Sequence, residues 1–309
     1  MNINPNCSLN KNLHLSLVIA TRDNVIKLSE FLDKLLLCEK PNSWEIILAD
    51  NGSTDNTKES VQKYQGILPI KYIYVEQQGK SRALNQALKY VTGEIILFSD
   101  DDIIPDKMWL ISHIRNMSEN NDVSVIGGRI IVDNTMLPLW LANSYNLKGI
   151  LVSEHEPAKI KSTYSQGQFP FGPNLSVRKK LLENIKDPWP ENIGPGTDMP
   201  VGDETIFITK ISKITDERIY CPDCIVEHKP VIKDNILYDF VHRSFMGGFV
   251  AGFYLLRGDE KSTSNSIGKL AAYRISSCRS IKEFICIVSR AIGFYSGYML
   301  KYFRKQLSH

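Results

Sequence analysis

Much that would place this 309-residue chain quickly is missing from it. No uninterrupted apolar run is long enough to span a bilayer. Met1 to Asn12 is polar and lacks an apolar core with a small-residue cleavage site, so no signal peptide is expected. One sign of charge barely outweighs the other, 37 Lys and Arg against 34 Asp and Glu, and no long basic run accompanies the excess of +3. A nucleic-acid partner is therefore not expected. Cysteine is sparse and scattered (Cys7, Cys38, Cys221, Cys224, Cys278, Cys286), and a chain of this length builds a core without bridges. Reduced thiols and a cytoplasmic setting follow as expectations. No Gly-x-Gly-x-x-Gly follows the first expected strand, which argues against a dinucleotide-binding Rossmann domain. A Walker A sequence is also absent, which argues against a P-loop enzyme. There is no internal repeat and no low-complexity tract.

What is present is an alternation. Leu13 to Ala20 reads as a strand, and Val25 to Cys38 carries apolar residues at helical spacing (Ile26, Leu28, Phe31, Leu32, Leu35, Leu36). Further strands are expected at Trp44 to Ala49, Ile70 to Val75 and Ile95 to Phe98, with helices at Asp55 to Tyr64 and Gly79 to Val91 between them. Alternation of this kind predicts parallel strands joined by crossover helices. Polar residues follow each strand: Thr21 to Asn24, Asp50 to Ser53, Glu76 to Lys80, Asp100 to Asp102. Ligands of open α/β sheets bind outside the carboxyl ends of the strands, so these ends are expected to share one rim. The run Asp100-Asp101-Asp102 stands out, because adjacent anions repel unless a cation or a set of donors offsets them. The residues alone leave a divalent-metal site and a solvated acidic turn about equally open.

Beyond Pro105 the pattern changes. Lys107 to Met117 reads as a helix, and Val123 to Val132 as a strand pair or a strand bulged around Gly127-Gly128. Met136 to Gln168 has poor periodicity and several aromatics, among them Trp140, Tyr145 and Tyr164, which marks a functional or mobile stretch. Asp203 to Ile214 reads as a helix and Ile219 to His228 as a last strand broken at Pro222. Cys221-Pro222-Asp223-Cys224 has no clear fourth zinc ligand and no helix at its first cysteine, so two inert thiols are the better reading. The chain divides into 1–232 and a helical region, 233–309, with a polar break at Gly258 to Asn265. Ile281 to Leu300 is amphipathic with a basic tail (Lys301, Arg304, Lys305), suited to packing on the main domain or lying on an anionic membrane face.

Taken in order, these segments resemble the family 2 glycosyltransferases, inverting nucleotide-sugar-dependent enzymes. Leu17 to Arg22 looks like their first strand and turn, and Ile47 to Asp55 is similar to their second-strand signature, with Asn51 where a second Asp is commoner. Gln78 to Asn85 resembles their glycine-led third helix, and Gly93 to Asp102 the segment ending in Asp-x-Asp. The resemblance covers about Leu13 to His228. It implies the GT-A fold, an α/β architecture with a Rossmann-like mixed sheet flanked by helices, here with a C-terminal helical extension. It implies hexosyl transfer from a UDP-sugar to a glycan or lipid-linked acceptor in envelope polysaccharide synthesis, with Mg²⁺ or Mn²⁺ as cofactor.

The residue roles it implies are specific. Asp50 would accept a hydrogen bond from the base; Thr21 and Arg22 would line base and ribose; Asp100 and Asp101 would lie near the ribose or metal. Lys80 or Arg82 would contact the pyrophosphate. Asp102 would be the principal metal ligand, joined by Asp100 and His228. The acceptor's base would come from Asp203-Glu204, in the reverse of the usual acid order, with Asp203 preferred as the shorter acid and Glu204 the alternative. Asn174 would touch donor sugar or acceptor. A nucleotidyltransferase would need a glycine-rich lysine loop after the first strand, which is lacking, and a non-catalytic nucleotide-sugar binder of the same fold is the other alternative.

Overall fold

The structure, a computed structural model, describes residues 13–119, 121–144, 147–164, 168–215, 217–230, 236–255 and 276–307. Cys7, Tyr145, the polar break at 258–265 and the proposed boundary at 232 lie outside them. The first half alternates as expected: β1 Leu15–Thr21, α1 Val25–Leu37, β2 Trp44–Asp50, α2 Thr57–Tyr64, β3 Ile70–Tyr74, α3 Lys80–Leu88 and β4 Ile95–Ser99. All of β1 is buried, because its two faces enter two different apolar layers. Leu15, Leu17 and Ile19 pack with Leu28, Phe31, Leu32 and Leu35 of α1, whereas Val18 and Ala20 pack with Ala83, Leu84 and Ala87 of α3.

The remaining elements are β5 Ile103–Pro105, α4 Trp109–Glu119, β6 Val125–Ile131, α5 Leu139–Ala142, α6 Lys148–Val152, β7 Ser162–Thr163, β8 Leu175–Arg178, α7 Asp203–Ile211, β9 Arg218–His228, α8 Ile236–Val250 and α9 Ile281–Leu307. One mixed sheet runs β3-β2-β1-β4-β8-β6-β9-β5, with β7 on β9. The first four strands are parallel, and β8 enters antiparallel between β4 and β6. Register then builds the rim: Thr21 pairs with Asp50 and Ile19 with Ser99, so the polar ends of β1, β2 and β4 lie side by side. At the other edge Ile103 of β5 faces His228 of β9, which sets His228 beside Asp102.

The expected bulge exists, and its extra residues belong to β9. Gly128 pairs with Cys221, and Arg129 pairs with Ile225, so Pro222, Asp223 and Cys224 loop out of the ladder. Both cysteines are fully buried in the main core, and burial drives the Cys224 thiol's pKa up, which makes it inert.

Part of the aperiodic stretch is a docking pad. Leu137, Leu141, Leu147, Leu151 and Val152 form a third apolar cluster with Phe240 of α8 and Cys286 and Ile287 of α9. The two long helices run side by side in the same direction: Gly248 and Gly252 meet Arg290 and Phe294, while Gly293 and Gly297 meet Phe245 and Phe249. A Cβ at any of these four glycines would stand 2.0–2.2 Å from a carbonyl oxygen of the facing helix, so no larger residue fits this approach. Among the described residues no helix is long and apolar enough to cross a membrane.

Candidate active site

Lys80, the first residue of α3, is the centre of the rim. Its ammonium lies 2.5 Å from Asp100 Oδ1 and feels the charges of Asp100, Glu204 and Asp203. Burial alone would lower its pKa, but those acids outweigh burial and keep it charged. Arg82 is two residues on, about 200° around the helix, and faces elsewhere. Its Nε is 3.2 Å from Glu191 Oε2 and Nη1 donates to Gln78 O, so it braces the loop at 189–191 and is not brought to the acids.

Asp102 and His228 form the second part. His228 Nε2 lies 3.5 Å from Asp102 Oδ1, and the ring's Nδ1 is 2.8 Å from the carbonyl of Val152. That contact fixes the ring with Nε2 toward the carboxylate, as in sites where the outer partner orients a metal-bound imidazole. Asp102 Oδ1 is buried without a hydrogen-bond partner. Burial raises the pKa of Asp102, but His228, Lys27 and Lys80 more than offset it, leaving the carboxyl below its usual range. Burial works the opposite way on His228, and Asp102 and Asp100 hold that imidazole above its ordinary value. An orphaned carboxylate oxygen beside an oriented imidazole fits a hard dication with oxygen donors completing its shell. Asp100 Oδ1 is paired with Lys80, and no group of three possible ligands is gathered among the described residues.

The third part is the N-terminus of α7. Asp203 is 5% exposed; its Oδ2 has no partner and sits under Gly194, where a Cβ would stand 2.8 Å away. Burial raises its pKa, Lys80 opposes that rise, and no side-chain hydrogen bond caps the start of α7. Glu204 is only partly buried. Burial first, then Asp203 and Asp100, against Lys80, push its pKa to about 7. Gly172 leaves room for it, because a Cβ there would fall 2.4 Å from Glu204 Oε1.

Several expected ligands are occupied by the fold. The Thr21 hydroxyl donates to Asp101 Oδ2 at 2.5 Å and Asn24 Nδ2 donates to Asp101 Oδ1 at 2.9 Å. Thr21 and Asp101 therefore clamp the end of β1 to the segment after β4, and burial lifts Asp101 to about 7. Asp50 is 1% exposed, accepting from Ser53 N at 2.8 Å and from the Tyr72 hydroxyl at 2.6 Å. It shapes the turn at Gly52 (φ 74°) and keeps one acceptor position on each oxygen. Asn51, the departure from the family pattern, donates to the carbonyls of Val75 and Gln77 and accepts from Gly79 N–H. A carboxylate could not make the two donations. Arg22 is partly exposed, 3.5 Å from Asp23, and reaches toward the turn at Gly196.

Asn174 is the clearest correction. It is fully buried, its Oδ1 accepts from Trp109 Nε1 (2.9 Å) and His113 Nε2 (2.8 Å), and its Nδ2 donates to the carbonyls of Arg129 (2.9 Å) and Cys224 (2.8 Å). An amide has two donors and two lone pairs, so nothing is left for a sugar. His113 is held neutral by burial, with its pKa near 4, and donates from Nε2. Asn174→Ala is expected to cost about 3–5 kcal/mol in urea unfolding, since it strands these partners in the core.

One group escaped sequence reading. Arg243 of α8 feels the charges of Glu204, Asp239 and Asp102, although it lies outside the segment the resemblance covers. A cleft of about 530 Å³ beside α7, lined in part by Lys186, Lys210 and Lys213, contains none of Asp100, Asp102, Asp203 and Glu204.

A parallel sheet opened by an antiparallel strand, with acids on its rim and an acid pair on a late helix, is the GT-A architecture. Solved structures show the same fold: the mannosyltransferase PcManGT from Pyrobaculum calidifontis, in complex with GDP-Man and Mn²⁺, aligns with TM-score 0.61 and 16% identity over 93% of this chain and 88% of that one. S. aureus TarS aligns with TM-score 0.58 and 20% identity over 86% of this chain and 44% of that one. The chain belongs to glycosyl transferase family 2, whose sequence profile matches residues 16–186. Among curated relatives it is similar to the chondroitin synthase of Pasteurella multocida (strain Pm70), 34% identical over 40% of this chain and 13% of the synthase. It is also similar to the uncharacterized glycosyltransferase YfnE of Bacillus subtilis (strain 168), 29% identical over 70% of this chain and 49% of YfnE. The chain thus spans about half the length of YfnE and a small part of the synthase.

Proposed function

We propose that this protein moves a hexosyl group, with inversion, from a nucleoside diphosphate sugar to a hydroxyl of a glycan or lipid-linked acceptor in cell-surface polysaccharide synthesis. The observation that carries the reading is the arrangement around Lys80. The Asp102–His228 pair stands on one side, and Glu204, an acid with a pKa near 7, on the other. The donor class is supported by the ligands named for the structural neighbours, UDP-GlcNAc in S. aureus TarS 1-349 and GDP-Man in PcManGT. UDP-sugars are the favoured donors.

Each part has a task. Lys80, held by Asp100, meets the diphosphate, and Arg22 borders the ribose. The base takes the remaining acceptor positions of Asp50. Asp102 and His228 hold Mg²⁺ or Mn²⁺, which when bound supplies positive charge against the departing diphosphate. Glu204 removes the acceptor's proton as its oxygen attacks the anomeric carbon, the sugar–phosphate bond breaks, and the nucleoside diphosphate leaves from the opposite face. Glu204 suits this better than Asp203 because it is only partly buried and poised near neutral pH, whereas Asp203 is buried under Gly194. Calorimetric titration of UDP- and GDP-sugars with Mn²⁺ and with EDTA tests the donor reading; no binding by either nucleotide class would overturn it. Binding without transfer to any acceptor would favour the non-catalytic alternative.

The same proposal places the protein in the cytoplasm, at the inner face of the membrane. One stripe of α9 is apolar and free of charge: Ile281, Ile285, Ile292, Tyr295 and Met299 are exposed, Ile281 by 70% and Ile292 by 55%, and Lys301 follows. Ile292→Glu with Met299→Glu is expected to remove co-sedimentation with anionic phospholipid vesicles while leaving the melting temperature unchanged. Equal sedimentation of both proteins rejects the contact.

A further inference from the structure

We infer that Arg243, from the C-terminal helix pair, is a diphosphate-binding residue of the donor site. Resting on the donor reading above, this extends the site beyond the segment matched to the family, which ends at residue 186.

The placement of α8 brings Arg243 there. Arg243, Gly247 and Val250 are spaced i, i+4 and i+7 and so lie on one helix face. That face is seated on the residues just before the acid pair. A Cβ on Gly202 would stand 2.6 Å from Val250 Cγ1, and one on Gly247 would stand 4.0 Å from Val201 Cγ2. Val250 also shares a small apolar cluster with Ile193 and Ile206 of the loop and helix that carry Asp203 and Glu204. One turn further toward the start of α8, Arg243 therefore points along the same seam. The charges that act on it come from Glu204 first, then from Asp239 of its own helix and from Asp102.

Arg243 is exposed, and among the described residues it makes no hydrogen bond or ion pair. Two neighbouring lysines already have carboxylate partners, Lys80 with Asp100 and Lys229 with Glu30. A guanidinium left free between a general base and a metal-ligand carboxylate lacks the anion that would use its planar fork. A diphosphate fits, because two oxygens can be taken in parallel where charge accumulates as the donor breaks. The close packing of Gly248 and Gly252 against α9 makes this platform rigid, so the C-terminal helices serve the site as well as any surface contact.

The test compares UDP with uridine by calorimetric titration in Mg²⁺ buffer, using wild type, Arg243→Ala and Arg243→Lys. Arg243→Ala is expected to raise the Kd for UDP by about tenfold or more, with uridine binding unchanged, and Arg243→Lys to recover part of the loss. Because the side chain is exposed, both variants are expected to melt with wild type. An unchanged UDP affinity in Arg243→Ala overturns the inference and leaves the donor reading standing. Equal weakening of UDP and uridine overturns it too, since that pattern belongs to a displaced helix. A wild type that binds neither UDP nor GDP is a separate result and removes the donor reading itself.

Discussion

Glu204→Gln is expected to lower turnover by about a hundredfold or more while the Kd for donor stays within about twofold. The amide keeps the size of the side chain and its place beside Gly172 but cannot take the acceptor's proton. Asp203→Asn should behave differently, because that carboxylate is buried under Gly194, and its main effect should be on melting temperature. Equal losses of turnover from both substitutions, or a loss from Asp203→Asn alone, would move the base to Asp203. The pH dependence has a definite sign. Glu204 works deprotonated, so kcat/KM should fall tenfold per unit below about 7 and flatten above it. Its raised pKa also means that the folded state holds the proton more tightly than the unfolded chain. This group's contribution to stability is therefore present at low pH and is lost as pH rises through about 7. Glu204→Gln should remove both slopes.

Asp102→Ala should abolish the effect of metal on donor binding. For wild type, UDP-sugar affinity is expected to be at least about tenfold higher with Mn²⁺ than with EDTA, and the variant should show one weak affinity in both buffers. His228→Ala should lose part of the difference, because its imidazole supplies a ligand but no charge to the dication. Because His228, Lys27 and Lys80 hold the Asp102 carboxylate below its usual range, Asp102→Ala loses that pairing and should melt lower than wild type in EDTA. A metal-dependent gain that survives in Asp102→Ala would remove the pair from the metal site.

How legible the site was depended on where each contact partner lies in the chain. The strand-end acids and Lys80 were readable because a parallel sheet forces consecutive strand ends onto one rim, and register does the rest. His228 was readable as a candidate through the family pattern, while its pairing with Asp102 needed the antiparallel match of Ile103 with His228. Asn174 was misread because polarity in a sequence does not say who the partner is. Asn174 looked like a sugar ligand and is instead a core amide tying α4, β6 and β9 to the turn before β8. The order Asp203-Glu204 suggested the shorter acid, but packing separates the two, since Asp203 is buried under Gly194 while Glu204 is only partly buried.

By itself the sequence determined the alternation of strands and helices, the shared rim, the family and the acids that give the rim its charge. All of these depend on local periodicity and on near-neighbour strand pairing. The tertiary structure alone decided which of those acids remain free, which are consumed as clamps, and that the helix carrying Arg243 seats against the residues before Asp203. Those outcomes depend on long-range packing: four glycines set how closely α8 and α9 pack, and a seam between Val250 and Gly202 sets where Arg243 stands. A hydrogen-bonding group has a fixed number of positions, and only the assembled fold determines which are already taken.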